Sequence, residues 1–132
     1  MVIVASAGNA SKEQKDYPAA FSDAIAVAAV DDADKKASFS NFGSHVTLSA
    51  PGTTIRSTYV GGGFATWSGT SFAAPFVAGA AALVRAANPS LDSDKIVEVL
   101  RKSARSVDTL NPSYSGKLGK GVLNIPGALS IK

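Results

Sequence analysis

The sequence predicts an α/β fold with a mostly parallel sheet. Two short apolar runs, at residues 2–7 (interrupted only by Ser6) and 24–30, have the pattern of strands covered on both faces. Two helical patterns follow later in the chain, at residues 71–87 and 93–106, and strands alternating with helices indicate parallel pairing. The 132 residues and 45% hydrophobic content suffice for one core, so the chain is treated as one unit, residues 1–132.

The first strand, residues 2–7, ends at Gly8-Asn9. It begins on β-branched residues with no polar lead-in, as if cut from the middle of a sheet. A polar loop closed by Pro18 leads to the second strand, residues 24–30, which stops at the acidic turn Asp31-Asp32-Ala33-Asp34. A short third strand is expected at residues 46–49, before Pro51-Gly52. Between Ile55 and Trp67 two β-prone segments flank Gly61-Gly62-Gly63. With no helix directly after them and no Gly-Lys-Ser/Thr, these glycines make a hairpin turn and not a phosphate cradle.

The helix over residues 71–87 is apolar on nearly every side, which predicts burial all round, with Pro75 distorting its first turn or marking its regular start. The helix over residues 93–106 is amphipathic. Asp92 is its expected N-cap, Ile96, Val97, Leu100, Ala104 and Val107 form its apolar face, and Glu98, Arg101, Lys102 and Arg105 face water. A last strand at residues 122–125 and a brief terminal helix complete the chain.

Composition excludes several functions. The net charge of +3 comes from 13 basic and 10 acidic residues, with no Lys/Arg run longer than two and no interleaved aromatics, so nucleic acid is not the expected partner. The absence of cysteine rules out disulfides and thiolate metal sites. No signal-peptide pattern opens the chain. The longest apolar run, residues 72–84, has 13 residues against the roughly 20 of a membrane span, so no membrane partner is expected.

The chemistry concentrates at Ser71. A serine at a helix N-terminus has free N–H groups and the positive end of the dipole beside it, which suits a nucleophile whose substrate develops an oxyanion. On local grounds the same serine also fits a helix cap. The surrounding residues do not fit G-x-S-x-G, since Ala73 occupies the second glycine position. Asn9, at the exit of a parallel strand, carries an amide donor where open α/β sheets place ligands, and equally fits a turn.

Seven segments taken together, "ASAGN" (5–9), "YPAAF" (17–21), "AIAVAAVD" (24–31), "ASFSNFG" (37–43), "LSAPG" (48–52), "GTSFAAPFVAGAAALV" (69–84) and "GKGVLNIPGAL" (119–129), resemble the subtilisin-like serine proteases over nearly the whole chain. The resemblance implies a three-layer α/β sandwich, here the C-terminal portion of a catalytic domain, from a secreted enzyme. It makes Ser71 the nucleophile and Asn9 the oxyanion-hole side chain, with Thr70 nearby. It makes Ser6, Ala7 and Gly8 one wall of the pocket for the residue before the scissile bond. Asp16 near the floor of that pocket would favour Lys or Arg there, unless Lys15 or solvent neutralises it.

The chain departs from the family pattern at Phe76, where members commonly carry a structural His, and at Phe72, where Met is common. The triad order of the family is Asp, His, Ser, and neither partner segment is present. The one histidine, His45, is expected in a solvated loop away from Ser71. The His and Asp are therefore expected from a complementary N-terminal half, with self-association as the alternative and a non-catalytic binding or assembly module as the rival function. No cofactor is expected. Calcium occurs in the family, but Asp31, Asp32 and Asp34 lack EF-hand spacing. His45 and Thr47 also stand where some members place acidic ligands, so no metal is assigned.

Overall fold

The computed structural model describes residues 1–131. Its centre is β2 (Ala24–Val30), in which Ile25 to Val30 are all buried. β1 (Ile3–Ser6) and β3 (Leu48–Pro51) flank it in parallel, in the order β1-β2-β3, with Ile3 opposite Ala24 and Val27 opposite Leu48. Side chains alternate across β2 with period two. Ile25, Val27 and Ala29 face the larger cluster, with Leu48, Val77, Val84, Ile96 and Leu100. Ala28 and Val30 join Val46, Val107, Leu118 and Val122 in a second cluster.

α1 (Thr70–Ala87) packs on all three strands, and α2 (Ser93–Ser103) and α3 (Ile125–Ser130) pack beside it. These helices and the sheet form the α/β architecture that the sequence predicts. Irregular chain around Val107, Leu118 and Val122 covers the residues of the second cluster. β4 (Ile55–Tyr59) and β5 (Gly63–Trp67) form the expected antiparallel hairpin, turning at Gly61 and Gly62 with φ of +92° and +88°. That left-handed backbone is why glycine is needed there.

Four expectations need correction. The third strand starts at Leu48 and not at residue 46, because Val46 N–H donates to Gly43 O in a turn (3.1 Å). Residues 122–125 are not a strand. Only Val122 bridges, to Ser49 and Arg105, after which Asn124 caps α3 by accepting from Gly127 N–H (3.1 Å). α2 ends at Ser103 because Arg105 is drawn into that pairing with Val122. Its buried residues are Ile96, Val99 and Leu100, while Val107 lies beyond the helix in the other cluster. Arg105 also meets Asp34 at 2.5 Å instead of facing water alone.

α1 is the fourth. It is regular from Thr70 through Pro75, and it is buried on one side only, along Thr70, Ala73, Val77, Ala80, Ala81 and Val84. Ala78, Gly79, Ala82 and Leu83 are exposed. By length and composition this 18-residue helix could cross a membrane, which the 13-residue run alone did not suggest. Its packing on the sheet gives its buried stripe a place in a core, while its other flank has no cover among the described residues.

Candidate active site

Ser71 is the second residue of α1, after the N-cap Gly69. The approach to it is fixed by close backbone contact. Gly69 N–H donates to Gly52 O at 2.8 Å, and a Cβ on Gly52 would lie 2.5 Å from Ala29 Cβ and 2.9 Å from Gly69 O. Glycine at 52 therefore lets the end of β3 touch the segment that delivers Ser71. Ser71 is exposed. Its N–H belongs to the first helical turn, where no intrahelical acceptor exists. Pro75, one turn on, has no N–H to give the Ser71 carbonyl.

Asn9 faces this helix end across the strand exit. Its Oδ1 accepts from Thr70 N–H and from Thr70 Oγ1, both at 2.9 Å. Thr70 is fully buried, and its Oγ1 accepts from Gly8 N–H at 3.2 Å. Because the oxygen of the amide is committed to two donors, the orientation of Asn9 is settled. Its Nδ2 is left with no hydrogen-bond partner among the described residues. That nitrogen lies on the Gly69 side, 3.7 Å from where a Cβ on Gly69 would be. Two unpaired donors, Asn9 Nδ2 and the Ser71 N–H, thus belong to one strand exit and one helix start that Thr70 holds together.

The structure also brings Asp16 to Gly8. Gly8 has φ +107°, and a Cβ there would collide with Asp16 Oδ2 and Asn41 Nδ2. Asp16 Oδ2 accepts from Asn41 Nδ2 (2.9 Å) and Oδ1 from Gln14 Nε2 (2.6 Å). No ion pair joins it to Lys15 among the described residues. Ala7 is buried at the β1 exit, with Ser6 and Gly8 half-buried on either side. Asn41 is the residue that sequence reasoning missed. It stands inside the quoted "ASFSNFG", but nothing in that segment shows which atoms it will meet.

His45 corrects an expectation. It is half-buried, not solvated, and its Nε2 is buried without a hydrogen-bond partner. Desolvation lowers its pKa, as does the Lys15 charge, against the opposing pull of Asp16 and Glu13. No hydrogen bond joins it to Ser71 among the described residues. In the acidic turn, Asp31 Oδ1 accepts from the Ala33 and Lys35 N–H groups, both at 2.9 Å. No group of three metal-capable side chains occurs among the described residues.

Comparison with known proteins identifies the family and the fold. Residues 1–121 match the model of the subtilase family of peptidases. The chain is 41% identical to subtilisin BL of Lederbergia lenta over 116 residues, 88% of this chain and 43% of that protein. It is 38% identical to a subtilisin of Bacillus pumilus over 132 residues, covering 97% of this chain and 46% of that protein. The structure of the patellamide maturation protease PatA is similar with a TM-score of 0.88 and 36% identity, over 98% of this chain and 50% of that one. The chain spans about half the length of the relatives it matches. With a family model covering most of its length and its fold shared with a solved protease, this chain belongs to the subtilase family.

Proposed function

We propose that the chain supplies the nucleophile and the oxyanion hole of a serine endopeptidase. Ser71 Oγ attacks the peptide carbonyl and passes its proton to a general base. The carbonyl oxygen, now negative, takes hydrogen bonds from Asn9 Nδ2 and the Ser71 N–H. Collapse of the tetrahedral species expels the amine, which takes the proton back, and leaves an acyl ester on Ser71. Water then hydrolyses the ester by the same steps in reverse order. The observation that carries this reading is the Asn9 amide, whose oxygen is locked by two Thr70 bonds so that its N–H₂ stays free.

In this reading His45 is not the base, since its Nε2 is buried without a partner and no hydrogen bond joins the ring to Ser71 among the described residues. In this reading a His and its orienting Asp come from the part of the protein matching the other half of the relatives' length. That part also covers the free edge of β1 and the exposed flank of α1, where Val2, Val4, Ala78 and Ala82 line a groove that Arg85 also borders. A strand edge left open in water recruits partners. The substrate is a peptide or protein, and the Asp16 carboxylate beside Gly8 favours Lys or Arg before the scissile bond. The resemblance to subtilisin-like proteases favours an enzyme that acts outside the cell.

In the intact protein, Ser71→Ala should abolish peptide hydrolysis. Asn9→Leu should lower kcat about 10²–10³-fold with KM little changed, a range that comes from subtilisin itself. Hydrolysis that persists in Ser71→Ala would instead make the chain a non-catalytic module.

A further inference from the structure

Asn41 is a buried side chain that touches both parts of the proposed site. It is 0% exposed, on the connection between β2 and β3. Its Nδ2 donates to Ala7 O (3.1 Å) and to Asp16 Oδ2 (2.9 Å). Its Oδ1 accepts from Ala10 N–H (2.9 Å) and Lys12 N–H (3.2 Å). An amide side chain offers two donor hydrogens and two acceptor lone pairs, so Asn41 is saturated. Both partners of Nδ2 are acceptors and both partners of Oδ1 are donors, so only one orientation of the amide satisfies the site. Its backbone N–H also donates to Gly8 O at 2.9 Å. Gly8 and Ala10, the neighbours of Asn9, are therefore both tied to Asn41.

We infer that Asn41 is a positioning residue that fixes the Asp16 carboxylate against Gly8 and sets the loop bearing Asn9. Preference for a basic side chain and stabilisation of the oxyanion then depend on the same buried amide. The inference rests on the proposed roles of Asp16 and Asn9. Without Asn41, Asp16 keeps only the exposed Gln14 as a partner and turns toward solvent. The Ala7 carbonyl and the Ala10 and Lys12 N–H groups lose partners together, and the loop shifts to find water. Asp, Leu and Ser do not replace it. Asp would set a second carboxylate against the first, Leu has no polar atoms, and Ser is too short to reach both sides.

The test compares kcat/KM for a peptide with Arg before the scissile bond and for its Phe counterpart, in the intact protein. Both substrates are assayed on the same sample, so the folded fraction cancels in their ratio. A hydrogen bond to a charged group is worth enough that Asp16→Asn and Asn41→Leu should each lower the Arg:Phe ratio about tenfold or more. Asn41→Ser should fall between Asn41→Leu and the parent. The double variant Asp16→Asn/Asn41→Leu should show a ratio no lower than Asp16→Asn alone, while Asn41→Leu also lowers kcat on both substrates. If Asp16→Asn flattens the ratio but both Asn41 variants keep it, the inference is overturned and the pocket role of Asp16 stands. If Asp16→Asn leaves the ratio unchanged, the pocket role fails and the inference fails with it.

Discussion

A methyl group on Gly8 would strike Asp16 and Asn41, on a backbone at φ +107° that L side chains avoid. Gly8→Ala should therefore cost about 1–3 kcal/mol of stability, read as a lower midpoint in urea unfolding. An unchanged midpoint would mean that the loop has another low-energy path. His45 sets a pH dependence. Its folded-state pKa lies below the ordinary value, so the unfolded chain binds the proton more readily. Its contribution to stability is complete above the unfolded pKa, about 6.5, and is lost as pH falls through the folded value. Acidification below pH 6.5 should lower Tm more in the native sequence than in His45→Phe, and equal slopes would refute this. Ser71 and Asn9 were recognisable in the sequence as candidates because each sits in a contiguous, patterned segment. Asn41 was not, because its side-chain partners lie 25 to 34 residues away and no local pattern records such bonds.

Among the elements, α2 shows most directly how sequence dictates structure. Asp92 accepts from Lys95 N–H at 2.8 Å, as an N-cap should. Asp92→Ala should cost about 1 kcal/mol, measurable by chemical denaturation, and no loss would show that packing alone holds the helix. β2 was legible at both ends because a continuous apolar run, buried on both faces, has sharp polar limits. β3 and the residues around Val122 were less so. There the chain pairs over one to four residues, and turns at Gly43 and Asn124 decide where pairing starts and stops. The apolar character of α1 was legible, but its one-sided burial was not. A helix that is apolar all round signals that every side will be covered, without naming the cover.

At the scale of the whole molecule, that uncovered flank and the open edge of β1 lie on either side of the groove lined by Val2, Val4, Ala78 and Ala82. Ala82→Asp places a charge on this surface without touching the buried stripe of α1. It should leave the fold of the 132-residue chain intact, by circular dichroism, yet weaken association with the complementary segment at least tenfold. Undiminished association would move the docking face elsewhere. In the proposed mechanism Ser71 becomes a nucleophile only when that segment brings a His and an Asp to it. The direct measurement is intact-mass labelling by a fluorophosphonate, of the chain alone and of the chain mixed with that segment, with Ser71→Ala as control. One label per chain in the mixture, none in the chain alone and none in Ser71→Ala is the predicted result. Full labelling of Ser71 in the chain alone, or none in the folded mixture, would contradict it.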